Sequence, residues 1–202
     1  LLVSHHPIMN CKWSQVQTVR DDTFQGSLLT RLLRANVSAI CMHTNLDIAG
    51  GGVNDVLARA LGIQEPEGFT SEGVGRCGWR AEPMALPDFV RFVSRTLGCN
   101  GVRYAGAGKP VHRVAVGGGA CGEFEDAAIA AGCDTFVTSD LSYHQFVDAR
   151  VKGINLIDAG HFPTENPVCE TVAAFLTQRF PNLQVQISAS HKEAIQYYVE
   201  GE

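Results

Sequence analysis

VAVGGGACGEFEDAAIAAGCDTFVTSD, residues 114–140, is the stretch on which the fold turns. Val114 to Val116 reads as a short buried strand, Gly117 to Gly122 as a glycine loop, Phe124 to Ala131 as a helix, and Asp134 to Thr138 as a second strand. Apolar runs that alternate with turns and helical patterns in this way are the signature of an α/β fold.

The same alternation extends outward in both directions. Toward the N-terminus, Leu1 to Ser4 reads as a strand end, Gly26 to Asn36 as a helix with Leu28, Leu29, Leu32 and Leu33 at helical spacing, and Val37 to Met42 as a strand. Asn54 to Leu61 is a helix that Gly62 can stop, and Leu86 to Leu97 is another, with Phe89, Val90 and Val93 on its apolar side. Toward the C-terminus come a strand at Leu156-Ile157, a helix from Val168 to Phe180, and closing strands at Val185 to Ser188 and Ala194 to Val199. Gln64 to Ser71 is polar and carries Pro66 and Gly68, which marks a domain boundary, and Gly73 to Arg80 is a glycine-rich stretch beyond it. Two α/β lobes are expected, residues 1–63 with 185–202 and residues 64–184. Leu1-Leu2-Val3 has no initiator Met and reads as the middle of a strand, so the natural protein is expected to begin upstream, leaving the first lobe N-terminally incomplete.

Composition narrows the function classes. Apolar residues make up 45% and charged residues 18% of the 202, and the mean hydropathy is +0.01, values of a globular chain rather than a disordered one. A formal net charge of −5 supplies no basic face for nucleic acid or an anionic membrane. No apolar run approaches the roughly 18 residues of a membrane span. The seven cysteines are odd in number, dispersed and without a C-x-x-C pair, the pattern of reduced thiols in a cytosol.

Three strand-end segments concentrate metal-binding side chains. Ser4-His5-His6-Pro7 places two imidazoles where α/β sheets place their ligands. Neighbouring strand residues point in opposite directions, so as ligands His5 and His6 are expected to diverge and serve two ions rather than converge on one; taken alone, the pair reads rather as partly buried, hydrogen-bonded histidines. His43-Thr44-Asn45-Leu46-Asp47 follows the next strand; alone, it reads rather as an Asx-type turn with Asn45 or Asp47 as the cap. Gly160 to Pro167 (GHFPTENP) sets His161 and Glu165 four residues apart around a helix start, where the dipole favours an ionised carboxylate, with Thr164 or Asn166 available as cap. Together these segments offer His5, His6, Asp47, His161 and Glu165. Five ligands with one carboxylate able to bridge suit two divalent ions, and imidazole with carboxylate suits zinc, iron or manganese. Such a pair of ions supports metal-assisted hydrolysis.

Lesser candidates surround this set. Asp140 and His144, after the 134–138 strand, could line the pocket, shuttle protons or support a ligand, or else cap and decorate the helix that begins near Leu141; His43 stands beside them as a further candidate. Gly117 to Gly122 fits G-x-G-x-x-G with Asp140 downstream, yet Glu123, Glu125 and Asp126 put negative charge where a pyrophosphate needs positive potential. His112 and His191 stand alone and read as structural or surface residues.

The motifs SHHP at 4–7, HTNLD at 43–47, GGVND at 51–55, the glycine loop, TSD with YH at 138–144, and DAGHFPTE at 158–165 occur in this order over nearly the whole chain. In this the sequence resembles the GTP cyclohydrolase I type 2 homologue family, also called the Nif-three-like family; Ser139 stands where that family usually has glycine. The resemblance implies two α/β lobes with mixed sheets, a dinuclear metal site in the cleft between them, and a toroidal homohexamer. It implies that His6 and Asp47 bind one ion, that His5 and His161 bind the other, and that Glu165 bridges. The expected function is that of a cytoplasmic dinuclear-metal protein with hydrolase-like chemistry on a small molecule such as a nucleotide; the alternative is a metal chaperone that hands an ion on and catalyses nothing. Fold and metal site transfer across a family better than substrate does.

Overall fold

A computed structural model describes residues 1–9 and 19–198. Cys11 and the last residue of the expected 194–199 strand lie outside the described residues. The chain divides into two compact units, Leu1–Leu46 and Asp47–Glu202. The sequence placed its division at 63/64 and joined 185–202 to the first lobe; here the helix at 53–60 and the C-terminal segment both go with the second unit.

The first unit is a parallel pair of strands joined through a helix. β1 (Leu2–Ser4) pairs with β2 (Ala39–Cys41) in the register Leu2 to Ala39, Val3 to Ile40 and Ser4 to Cys41. A parallel pair needs a crossover, and α1 (Phe24–Arg34) lies on it. Thr23 caps α1 by accepting from Gly26 N–H at 3.2 Å. Gly26 is buried against Arg20, whose carbonyl occupies the space a β-carbon would need. α2 (Thr44–Ile48) begins in this unit and ends in the next.

The second unit is built on a six-stranded sheet in the order β3-β4-β6-β7-β8-β5. Its centre is parallel: β6 (Val111–Val116), β7 (Thr135–Thr138) and β8 (Asn155–Asp158) run together. β3 (Gln64–Glu67), β4 (Arg76–Met84) and β5 (Arg103–Ala105) join antiparallel at the flanks. Parallel strands are covered on both faces and read as continuous apolar runs, and this accounts for VAV at 114–116. Val114, Val116, Val137 and Ile157 face one core, with Leu57, Ala58 and Leu61 around α3 (Val53–Ala60) and Phe89 and Val93 of α4 (Leu86–Leu97). Ala115, Phe136 and Leu156 face the other, with Ala128 of α5 (Glu125–Ala130) and Ala149 of α6 (Tyr143–Lys152). α7 (His161–Glu165) and α8 (Val168–Arg179) follow β8.

Three expectations change. Residues 64–71 are not a linker but begin with edge strand β3, and 73–80 lead into β4. The four residues of β3, QEPE, are all exposed, the composition that protects a sheet edge and hides a strand from pattern reading. Gly78 permits the β3–β4 approach, because a β-carbon there would collide with Gln64 O and the Ile63 side chain. The expected closing strands do not form over 184–198; that segment is held by side chains, Asn100 donating to Ile195 O and the Tyr197 ring packing on Gly101.

Candidate functional site

Each unit assembles part of the predicted donor set. In the first, β1 stops at Ser4, so strand alternation does not govern the two histidines after it. Ser4 Oγ donates to His6 O at 2.9 Å and closes the turn. The His5 and His6 rings sit edge to face with centroids 5.0 Å apart, a correction to the divergence expected from a pleated strand. His43 completes the group, stacked on His5 at 5.0 Å and 5.5 Å from His6. His5 Nδ1 lies 2.6 Å from Met42 O. A carbonyl can only accept, so Nδ1 carries the proton and Nε2 has the lone pair, the tautomer that a backbone carbonyl fixes in metal-ligating histidines. His43 Nδ1 is 3.2 Å from Thr44 Oγ1.

In the second unit, the segments after the C-terminal ends of the parallel strands β7 and β8 carry Asp140, His144, His161 and Glu165, the position where α/β sheets bind ligands. The loop after β7 holds Asp140 in the left-handed region at φ 54°, which Asp tolerates better than most residues. Asp140 is not the helix cap, because Ser142 caps α6 through a reciprocal capping box with Gln145. Its carboxylate instead meets His161 Nδ1 at 2.5 Å. His161 Nε2 lies 3.1 Å from Glu165 Oε1, one turn along α7. Hydrogen bonding to Glu165, then to Asp140, outweighs burial and lifts the His161 imidazole to about 9. The Glu165 side chain is 12% exposed.

Asp47 opens the second unit, and its backbone carbonyl accepts from Asn54 Nδ2 at 3.0 Å. Burial pushes the Cys121 thiol up to about 12, helped by the charges of Asp47, Glu165 and Glu123. Of the lesser candidates, His144 is exposed on α6 with its ring edge-on to Tyr143. His112 packs edge-on against Trp79, 4.9 Å away, as a structural histidine.

The glycine loop has a role other than phosphate binding. Four of its amides are committed within the protein: Gly117 N–H to Val137 O, Gly118 N–H to Asn54 Oδ1 at 2.9 Å, Gly119 N–H to Thr164 Oγ1 at 3.0 Å, and Cys121 N–H to Thr138 Oγ1 at 3.1 Å. A phosphate cradle needs such amides pointing at the ligand. Gly119 adopts φ 70°, and a β-carbon there would collide with Glu165 Oε1 and stand 3.2 Å from His161 Nε2. The loop thus leaves space beside those two donors.

Sequence reading misses Asn54 and Asp158 among the residues that hold this arrangement and reads Thr164 only as a helix cap. Asn54 and Thr164 are buried between loop and helices. Asp158, also buried, accepts from Leu141 N–H at 3.0 Å, from Gly160 N–H at 3.1 Å and from Arg103, joining the loop that carries Asp140 to the one that leads into His161. Asn54, Asp158 and Thr164 all lie inside the quoted motifs GGVND and DAGHFPTE, which was the available signal.

The donor chemistry fits a divalent ion. Two ligand atoms each about 2.1 Å from one ion of zinc type lie about 3.0 to 3.4 Å apart, and His161 Nε2 and Glu165 Oε1 are 3.1 Å apart. A carboxylate behind the imidazole of a metal-ligating histidine is the usual support, and Asp140 supplies it.

The sequence matches the model of the Duf34/NIF3 (NGG1p interacting factor 3) family over residues 1–194. A GTP cyclohydrolase 1 type 2 homolog of Clostridium perfringens is 29% identical over 205 residues, covering 98% of this chain and 77% of the relative. A protein of the same name from Streptomyces coelicolor is 34% identical over 192 residues, covering 88% of this chain and 66% of the relative. Among solved structures, the Staphylococcus aureus hypothetical protein SA1388 superposes with a TM-score of 0.86 at 26% identity, covering 97% of this chain and 79% of that one. A Bacillus cereus protein related to NIF3 shares the fold with a TM-score of 0.83 at 20% identity, covering 97% and 82%.

Proposed function

This chain belongs to the Duf34/NIF3 family, and on that premise we propose that it is a dinuclear divalent-metal protein with hydrolase-like chemistry on a nucleotide-like small molecule. His5, His6, Asp47, His161 and Glu165 hold the two ions, zinc, iron or manganese, and the working form is a cytoplasmic homo-oligomer, a hexamer. One observation carries the reading: His161 is held by Asp140 at Nδ1 while its Nε2 faces Glu165 Oε1 at 3.1 Å, the carboxylate–imidazole support of metal ligands. When bound, such ions supply Lewis acidity that activates water and polarises an electrophile. The protein's own part is orientation. Asp140 fixes the tautomer and direction of His161, Met42 O does the same for His5, and Gly119 leaves the space beside Glu165 in which a small ligand can approach. His43, stacked on His5, is the candidate to accept or donate a proton. The relatives' shared name, GTP cyclohydrolase 1 type 2 homolog, makes GTP the first substrate to try.

Metal analysis of the purified protein tests the first half. Two ions per chain are expected, with loss in His5→Ala and Glu165→Ala; less than about one ion per chain, or unchanged content in both variants, overturns it. Incubation of metal-loaded protein with GTP and other nucleotides tests the second half, with Glu165→Ala as the blank. The alternative, a chaperone that delivers an ion, is favoured by one feature. The amides of Gly117, Gly118, Gly119 and Cys121 are committed to internal acceptors, and Arg76 and Arg103 to Asp55 and Asp158, so none of these is a ready grip for a phosphate. Fast transfer of metal to an apo-acceptor without nucleotide turnover would establish that role.

A further inference from the structure

We propose that Asn54 is a positioning residue of the metal centre, its carboxamide fixing Asp47 relative to the helix that carries His161 and Glu165. The inference rests on the dinuclear reading above. Asn54 lies in the first turn of α3 and is fully buried. Asn is a poor helix former whose side chain ordinarily bonds the local backbone. This one spans two other segments. Nδ2 donates to Asp47 O at 3.0 Å, and Oδ1 accepts from Gly118 N–H at 2.9 Å.

The connection continues through the glycine loop. Gly119 N–H donates to Thr164 Oγ1 at 3.0 Å, and the same hydroxyl is 2.9 Å from both Gly160 O and His161 O. Thr164 is buried and immediately precedes Glu165. Two successive amides are therefore held by side-chain oxygens from two different elements, one next to Asp47 and one between His161 and Glu165. The loop cannot slip between them. A β-carbon at Gly118 would stand 2.6 Å from Val53 Cγ1 and 3.3 Å from Thr164 O, and one at Gly119 would strike Glu165 Oε1. Outer supports of this kind commonly change metal affinity by about 10- to 100-fold when lost.

A buried asparagine could equally serve only to hold the fold, and the protein contains its own control. Asn155 is also fully buried and uses both ends of its amide, accepting from Ala107 N–H at 2.9 Å and donating to Lys109 O at 3.2 Å and Thr135 Oγ1 at 3.1 Å. It begins β8, at the opposite end of the strand from Asp158 and the loop into His161. Full-length protein, stripped of metal, is titrated with Zn²⁺ against a chromophoric chelator, and thermal unfolding of the metal-free form is followed in parallel. Asn54→Ala and Asn155→Ala are expected to lower the melting temperature comparably. Only Asn54→Ala weakens Zn²⁺ binding, by about 10-fold or more. Thr164→Val, close to isosteric, is expected to weaken it likewise while Thr164→Ser restores it, and this pair decides the matter if Asn54→Ala does not fold.

Wild-type affinity in both Asn54→Ala and Thr164→Val overturns the positioning role and leaves the metal centre standing. Equal weakening in Asn54→Ala and Asn155→Ala overturns it in favour of a purely structural role. Wild-type protein that takes up no Zn²⁺ overturns the metal reading itself, and this inference with it.

Discussion

The two units hold their imidazoles by opposite means. In Leu1–Leu46, His5, His6 and His43 pack against one another at the end of a two-stranded sheet, and a backbone carbonyl and a serine turn fix them. No described residue of that unit belongs to the buried hydrophobic core; Ile40 of β2 is 49% exposed. In the second unit, His161 and Glu165 rise from a sheet covered on both faces, and buried Asn54, Thr164 and Asp158 hold the loops around them. The first arrangement stands outside the buried core, whereas the second is enclosed by packing. Substitutions that separate packing from donor placement can break or sharpen this contrast.

The largest effect should come from Phe136. Fully buried on β7, it packs against Phe69 with centroids 5.9 Å apart, and Phe136→Ala should cost about 3–5 kcal/mol of folding stability in denaturant titration. Ile40→Ala, in the first unit, should cost less than about 1 kcal/mol. Equal losses would end the distinction drawn between the units. Gly119→Ala comes next. A left-handed backbone at a residue with a β-carbon costs about 1–3 kcal/mol, and the methyl group would enter the space beside Glu165 and His161. Melting temperature and metal content should therefore fall together; a variant that melts lower yet keeps its full metal would show that the loop does not shape the site.

Asp140→Asn is a smaller change aimed at the donors alone. The carboxamide has nearly the same shape but no charge to support His161, so metal affinity should drop about 10- to 100-fold with a melting temperature near wild type. An Asp140→Asn protein that binds metal as the parent does would remove Asp140 from the centre.

The architecture was legible where burial is two-sided. VAV at 114–116 and TFVT at 135–138 are buried at every position, which is why short runs of apolar and β-branched residues identify them. β3 escaped notice because an edge strand carries charges and proline, and β4, paired on both sides, because Gly78, Pro83 and its charges are the same residues that mark loops. The tail at 184–198 misled for the reverse reason: its alternating apolar residues enter no ladder, and Ile195, Tyr197 and Tyr198 stay exposed. Within the site, His161 and Glu165 were legible through their spacing, and the structure sets them together. Asn54 and Thr164 were not, since a sequence cannot distinguish an oxygen that caps its own helix from one that reaches a distant loop. Asp140 shows the same ambiguity, resolved once Ser142 is seen to hold the cap.

The smallest expected effect concerns the thiols, and it probes the packed unit without disturbing it. Burial raises Cys121 and Cys133 to about 12, with Asp47 and Glu165 adding to the rise at Cys121 and the neighbouring Cys77 at Cys133. The thiolate is the reactive form, and a free cysteine titrates near 8.5. In native protein these two thiols should therefore resist a thiol reagent at pH 8 and show no rise in rate up to about pH 10. In denaturant they should react with the remaining cysteines and follow an ordinary titration centred near 8.5. The sign follows from the shift: a raised pKa keeps the thiol protonated through the neutral and mildly alkaline range. Mass spectrometry of the labelled peptides distinguishes the sites. Labelling of Cys121 in the native state at its denatured rate would mean that the glycine loop opens readily, and would contradict the rigidity attributed to Asn54 and Thr164.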